Sequence, residues 1–220
     1  MKAEHIKKKY GKKIILKDIS FDASSGECIG ILGGNGSGKS TLLSILAGIN
    51  RADGGSFGFE GTNLFDSKDK RASLVGYVPQ NTPLLEELTA YDNLRLWYDN
   101  AALERSLSSG VLAMLGVGEF LKVPVYKMSG GMKKRLAIGC SVAHEPGVLL
   151  LDEPSAALDL VCKERISAYL KDFKARGGII ILATHDVHEL GLCDRLFILK
   201  DGVLEPYVFD GDVHRLAGRL

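Results

Sequence analysis

Gly33-Gly34-Asn35-Gly36-Ser37-Gly38-Lys39-Ser40 gathers four glycines, a lysine and two hydroxyls into one short stretch. Glycine reaches backbone conformations that other residues avoid, so such a loop can turn several N–H groups inward around an anion. The string fits G-x-x-x-x-G-K-[ST] at every fixed position. In that pattern the lysine reaches the β- and γ-phosphates of a nucleotide and the final hydroxyl ligates Mg²⁺. Lys39 and Ser40 stand in those places, with Thr41 beside them in the same site. The flanks agree. Cys28-Ile29-Gly30-Ile31-Leu32 reads as a buried parallel strand, and residues 39–48 carry Leu42, Leu43, Leu46 and Ala47 on one helical face. The loop therefore leads into a helix N-terminus, whose dipole favours an anion.

A second constellation lies at Val148-Leu149-Leu150-Leu151-Asp152-Glu153, an apolar strand ending in two carboxylates. In α/β sheets ligands gather at the carboxyl ends of strands. Asp152 is placed to hold Mg²⁺ through its water shell, and Glu153 to polarise a water for attack on a γ-phosphate. His185 follows the apolar run Ile-Ile-Ile-Leu-Ala-Thr, a position from which an imidazole can face the same phosphate.

The elements that must position these residues follow from patterning. The first 32 residues alternate apolar and polar, with turns at Tyr10-Gly11-Lys12 and Ser24-Ser25-Gly26, and read as strands of a mixed or antiparallel sheet. Short strands are expected at 55–59 and 73–78, the latter closed by Pro79 and Gln80. Residues 82–146 are helical in character: Thr89 and Asp92 start a helix bearing Leu94, Trp97 and Tyr98, and further helices are expected at 102–115 and 130–144. Strand patterns return at 148–152, 179–184 and 196–199, with a helix near 161–175. The expected architecture is α/β: a phosphate-loop NTPase core with a mixed, largely parallel sheet, an N-terminal antiparallel β subdomain and an inserted α-helical subdomain. A single domain over 1–220 is expected, with 1–81 and 147–220 forming the core and β subdomain, and 82–146 the helical insertion.

A net charge of +1 in 220 residues offers no global field for nucleic acid, and no nucleic-acid partner is expected. Lys7-Lys8-Lys9 and Lys12-Lys13 read as a solvated face. No apolar run approaches the length of a membrane span. Cys28, Cys140, Cys162 and Cys193 match no zinc or disulfide spacing and read as buried thiols.

Met128-Ser129-Gly130-Gly131-Met132 resembles the signature motif of the ATP-binding-cassette (ABC) family, and further family elements appear in family order. Tyr10 matches the aromatic that stacks on adenine, and Gln80 the glutamine joining core to helical subdomain. Ser155-Ala156-Ala157-Leu158-Asp159 matches the D-loop and His185 the switch histidine. The resemblance covers nearly the whole chain. It implies ATP and Mg²⁺ as cofactors, with Gln80 sensing the Mg²⁺ and the attacking water. It also implies a second ATP-binding subunit, identical or not, paired head to tail. One copy's Ser129-Gly130-Gly131, a helix start with free N–H groups, then closes over the other copy's γ-phosphate, with Asp159 alongside. An ordinary helix cap would explain the serine but leaves the second glycine unexplained. Met132 stands where the family usually has glutamine, and Met128 where it usually has leucine. A thioether lacks the donors of an amide.

The form Ser-Gly-Gly-Met followed by Lys133-Lys134-Arg135-Leu136 resembles the drug, antibiotic and polysaccharide exporter branch. A transmembrane permease subunit is implied, placing the chain peripherally on the cytoplasmic face of the cell membrane. Docking is expected near Gln80, with Leu84, Leu85, Leu88 and Trp97 as apolar contacts. The chain ending near Leu220, without the added regulatory domain of many importer subunits, also tilts the expectation toward export. The alternative is a soluble ABC ATPase of the iron–sulfur assembly type. A GTPase is disfavoured by the lack of an Asn-Lys-x-Asp string, a small-molecule kinase by the Ser129 motif, and a non-hydrolysing ATP-binding module by Glu153.

Overall fold

The computed structural model describes residues 1–155, 158–184 and 186–220, and of His188 the backbone alone. The chain opens with β1 (Lys2–Tyr10) and β2 (Lys13–Asp22), then β3 (Cys28–Leu32) and α1 (Lys39–Ala47). β4 (Gly54–Phe59), β5 (Thr62–Asn63), α2 (Lys68–Leu74) and β6 (Val75–Val78) follow. Four α-helices come next, α3 (Ala90–Arg95), α4 (Asn100–Ser109), α5 (Val111–Met114) and α6 (Gly130–Ser141), with short 3-10 helices at Val117–Phe120 and Val125–Lys127 between the last two. β7 (Val148–Asp152), α7 (Leu160–Ala175), β8 (Ile179–Ala183), α8 (Val187–Leu190), β9 (Arg195–Lys200), β10 (Val203–Tyr207) and α9 (Val213–Arg219) complete the described elements.

The described strands form one sheet in the order β5-β4-β1-β2-β10-β9-β3-β8-β7-β6. Its two halves differ in direction. β1, β2, β4 and β5 pair antiparallel, as do β9 and β10. β3, β6, β7, β8 and β9 pair parallel. Parallel strands are covered on both faces, which is why β3, β7 and β8 are buried at every residue. Their side chains alternate between two cores. Cys28, Leu149, Leu151, Ile180 and Leu182 pack toward α3, α6 and α7, whereas Ile29, Ile31, Val148, Leu150 and Ile181 pack with α1, β1 and β2. That alternation is the period of two that a pleated strand imposes.

Local chemistry explains where elements begin and end. Thr89 caps α3 by accepting from Asp92 N–H, and the Asp92 carboxylate accepts in turn from Thr89 N–H at 3.1 Å, a complete capping box. The single helix expected over 102–115 is two, because Gly110 is extended (φ −103°, ψ −156°) and ends α4. A Cβ there would lie 2.8 Å from Ser106 Cα, so the tight break requires glycine. The strand expected from Ser73 starts at Val75, since Ser73 and Leu74 belong to α2. β10 and α9 were not anticipated. Pro206 within β10 argues against a strand in sequence, yet it sits where the ladder with β9 tolerates it, opposite Phe197. Among the thiols, Cys28, Cys140 and Cys162 are buried and Cys193 is half-buried, none in a disulfide.

Candidate active site

Sheet register brings the chemical residues to one edge. Ile31 of β3 pairs with Ala183 of β8, Ala183 with Asp152 of β7, and Leu151 with Val78 of β6. The carboxyl ends of four parallel strands are therefore level, and the phosphate loop, Asp152-Glu153, Thr184 and Pro79-Gln80 leave the sheet side by side. Two hydrogen bonds lace this rim: Glu153 N–H donates to Ala183 O (2.8 Å) and Thr184 N–H to Ile31 O (3.2 Å).

The loop itself is a concave turn. Gly33, Gly36 and Gly38 all have positive φ (157°, 77° and 110°). Gly38 is the N-cap of α1 in left-handed conformation, with no side chain capping the helix, so the N-terminal N–H groups of α1 open into the loop. A Cβ on Gly33 would lie 2.6 Å from Leu199 O and from Ser37 Oγ. Lys39, 6% exposed, curls back so that Nζ donates to Gly33 O (2.6 Å) and Gly34 O (3.2 Å). Burial lowers its pKa, while the Glu153 and Asp152 carboxylates pull it back up. Ser37 Oγ is buried with no hydrogen-bond partner.

Opposite the lysine, Asp152 is 2% exposed, and burial raises its pKa against the opposing pull of the Ser40 hydroxyl bonded to it and of Lys39 and Lys134. Tyr77, on β6, is pushed up to about 12 by burial and by the Asp152 charge. Glu153 has φ +48°, a left-handed backbone that a side-chain-bearing residue adopts at a cost of about 1–3 kcal/mol. Gln80 Nε2 donates to Glu153 Oε2 at 3.0 Å and so joins the ends of β6 and β7. Tyr10 lies farther out, at the end of β1. The residue is 49% exposed, with Lys8 Nζ 5.2 Å from its ring centroid.

Ser129 and Asp159 form a second locus. Ser129 caps α6 by accepting from Met132 N–H (3.3 Å), and Asp159 caps α7 by accepting from Cys162 N–H (2.8 Å). The two helix starts touch: a Cβ on Gly131 would lie 2.5 Å from Cys162 Sγ. Close helix packing thus supplies a structural reason for the second glycine, which the sequence reading lacked. Gly130 is exposed, while Met132 and Met128 pack into the core. His185, Ala156 and Ala157 lie outside the described residues.

Some residues of this rim went unnoticed in sequence. Lys134 Nζ donates to Pro79 O and Gln80 O, both at 3.1 Å. Asp186 accepts from Lys163 Nζ (2.6 Å) and Ser155 Oγ (3.4 Å), and beside them the buried Glu189 carboxyl is pushed up by desolvation. A signal existed for Lys134: although Lys133 and Arg135 flank it, it lies four residues after Gly130 and four before Ile138, so its neighbours along that row of α6 are uncharged.

This geometry fits a nucleoside triphosphate with Mg²⁺. The glycine turn, the unpartnered Ser37 hydroxyl and the buried lysine suit phosphate oxygens. Among the described residues no three or more His, Cys, Asp and Glu side chains group to hold a metal alone. A hydroxyl beside one carboxylate, as at Ser40 and Asp152, instead suits Mg²⁺, which keeps waters and substrate phosphates among its ligands. Fold and site together define a phosphate-loop nucleotide-binding protein of the α/β class.

The comparisons narrow this. The chain belongs to the ABC transporter family, whose sequence model matches residues 16–156, and it is an ATP-binding ABC ATPase cassette. It is 36% identical over 207 residues to the linearmycin resistance ATP-binding protein LnrL of Bacillus subtilis (92% of this chain, 67% of that one). It is 35% identical to the Nod factor export ATP-binding protein I of Sinorhizobium fredii (90% and 59%). It is 32% identical to the sulfate/thiosulfate import ATP-binding protein CysA of Bacillus cereus (98% and 67%). The chain thus spans between 59% and 67% of the length of these three relatives. Among solved structures, the dimeric post-hydrolysis state of the ATP-binding cassette MJ0796 bound to ADP and Pi superposes with a TM-score of 0.82 at 28% identity (96% and 99%).

Proposed function

We propose that this chain is the motor subunit of a membrane exporter, binding Mg²⁺ and ATP at the phosphate loop and closing head to tail on a second ATP-binding subunit. Lys39 and the loop N–H groups hold the phosphates, and Ser40, Asp152 and Gln80 hold Mg²⁺. Bound Mg²⁺ supplies neutralisation of the phosphate charge. Glu153 accepts the proton of the attacking water as the γ-phosphorus–oxygen bond to ADP breaks. Gln80 orients Glu153 and that water, Tyr10 stacks on the adenine, and His185 contacts the γ-phosphate. Ser129, Gly130, Gly131 and Asp159 serve the partner's nucleotide.

The observation that carries this reading is the 3.0 Å bond from Gln80 to Glu153 on the strand ends that also carry Asp152 and lie level with the phosphate loop. The dimeric MJ0796 cassette and the relatives named for resistance and export support the pairing and the direction. Exposed Leu85, Tyr91, Trp97 and Tyr126 form the proposed docking face for a membrane subunit, whereas Leu84 and Leu88 turn partly inward. Among the described residues no helix is long and apolar enough to cross a membrane, and in this reading the pore is formed by the membrane subunit.

The test is purification of a tagged copy from detergent-solubilised cells, with ATP turnover measured with and without Mg²⁺. A stoichiometric polytopic membrane protein and Mg²⁺-dependent turnover are expected. Soluble partners alone would turn the reading to a soluble ABC ATPase. Since an import protein stands among the relatives, the fold of the co-purified subunit tests the direction.

A further inference from the structure

We infer that Lys134 is a positioning residue for Gln80, tying the helix opened by Ser129 to the backbone from which Gln80 reaches Glu153. Three consecutive cations, Lys133, Lys134 and Arg135, follow the Ser129 turn, and the structure gives them three different tasks. Lys133 stays near solvent and pairs with Glu86 at 3.0 Å. Arg135 is buried within its own neighbourhood, donating to Leu115 O at 2.8 Å and lying over the Phe120 ring. Lys134 alone of the three turns toward the site: it is 6% exposed, and both of its hydrogen bonds, at 3.1 Å, go to the carbonyls of Pro79 and Gln80.

Burying an ammonium is costly unless its donors are used and its charge is answered. A lysine that merely covered apolar surface would keep its head in water. Here two donors are used, and Asp152, Glu189 and Glu153 face the charge. Burial outweighs those carboxylates, so the pKa of Lys134 falls. The accepting carbonyls lie just past the end of β6, where the sheet ladder no longer fixes them. A donor from α6 therefore sets the orientation of the Pro79-Gln80 backbone, and the Gln80 amide passes that orientation to Glu153 at 3.0 Å. The path runs from Ser129, the N-cap of α6, through Lys134 to Gln80 and Glu153, all within one chain. Contact made at the Ser129 turn is thereby felt at this chain's own water-activating carboxylate.

This inference rests on the role proposed for Gln80, and the experiment separates the two. Full-length Lys134→Met, Lys134→Gln, Gln80→Ala and the Gln80→Ala/Lys134→Met double variant are compared for kcat and for affinity toward ATP. Removing both donors in Lys134→Met is expected to lower kcat about tenfold, with ATP affinity within about twofold of the parent. Lys134→Gln, which keeps a shorter neutral donor, is expected to retain more of kcat, and the double variant to be no slower than Gln80→Ala. A residue that served only the fold would instead multiply the Gln80→Ala loss, or lower affinity in step with kcat, and either result overturns the inference. So does a parental kcat in Lys134→Met when Gln80→Ala is slow. Should Lys134→Met fail to fold, Lys134→Gln decides alone: an unchanged kcat overturns the inference, and a loss that vanishes on the Gln80→Ala background supports it. Parental turnover in Gln80→Ala would overturn the role of Gln80 and this inference with it.

Discussion

Two glycine-bearing helix starts, at Gly38 and at Ser129, are built in opposite ways. The first has a left-handed glycine cap (φ 110°, ψ 6°) and no side chain closing the helix end. Its donors open onto Lys39, buried in the same turn, with the Asp152 and Glu153 carboxylates near enough to shift that lysine's pKa. The second has an extended serine cap (φ −65°, ψ 162°) that already satisfies one N–H, and its Ser129 and Gly130 lie at the surface. The lysines that follow it turn elsewhere, to Glu86 and to the Gln80 segment. One start opens onto a buried lysine of its own turn; the other presents donors outward, without a cation of its own at the turn. In the function proposed above, the same helix-terminus physics makes a receptor in one place and a lid for a neighbouring molecule in the other.

Substitutions can break or sharpen that contrast. The largest effect is expected from Glu153→Gln, which should slow ATP turnover by roughly 10²–10⁴-fold while leaving nucleotide binding intact and accumulating a closed dimer on size-exclusion chromatography with ATP. Normal turnover would remove Glu153 as the base. Next is Lys39→Ala, where loss of a charge-assisted phosphate contact should weaken ATP binding by roughly 10–100-fold, read by titration with a fluorescent nucleotide. Tight binding in that variant would make the first helix start no better a phosphate site than the second. Tyr10→Ala should cost about tenfold in affinity, the worth of one stacked base, and should do so equally for ATP and ADP; a γ-phosphate-dependent loss would move Tyr10 away from the base. The smallest effect is expected from Ser129→Ala. Losing a cap worth about 1 kcal/mol should reduce dimer closure several-fold yet leave ATP affinity of the monomer unchanged. If monomer affinity fell as in Lys39→Ala, both helix starts would serve one phosphate in one chain, and the contrast would fail.

Legibility in sequence followed how local the cause was. The phosphate loop, the strand ending at Asp152-Glu153 and the Thr89–Asp92 cap could be read because each is written in consecutive residues. The break at Gly110 could not, since it depends on the close approach of Ser106, and Gly131 owes its place to Cys162 about thirty residues away. Lys134 looked like one more cation in a basic run, because burial of its ammonium is decided by two carbonyls from another segment. Pro206 shows the converse: its missing N–H is a local sign against a strand that its position in the sheet makes harmless. The pairing of Gln80 with Glu153 lies between these cases, for both residues were singled out but their contact required the register of β6 on β7.

The left-handed backbone of Glu153 has a consequence for stability as well as for chemistry. With its N–H tied to Ala183 O, the residue is held at φ +48° whatever its side chain does. Glycine, asparagine and aspartate meet that geometry at least cost, so for the fold alone glutamate is a poor choice. Glu153→Gly should therefore give up little or no thermal stability while losing turnover. Were Glu153 freed of the proton-accepting role proposed for it, its substitution would be among the cheapest changes this backbone could accept.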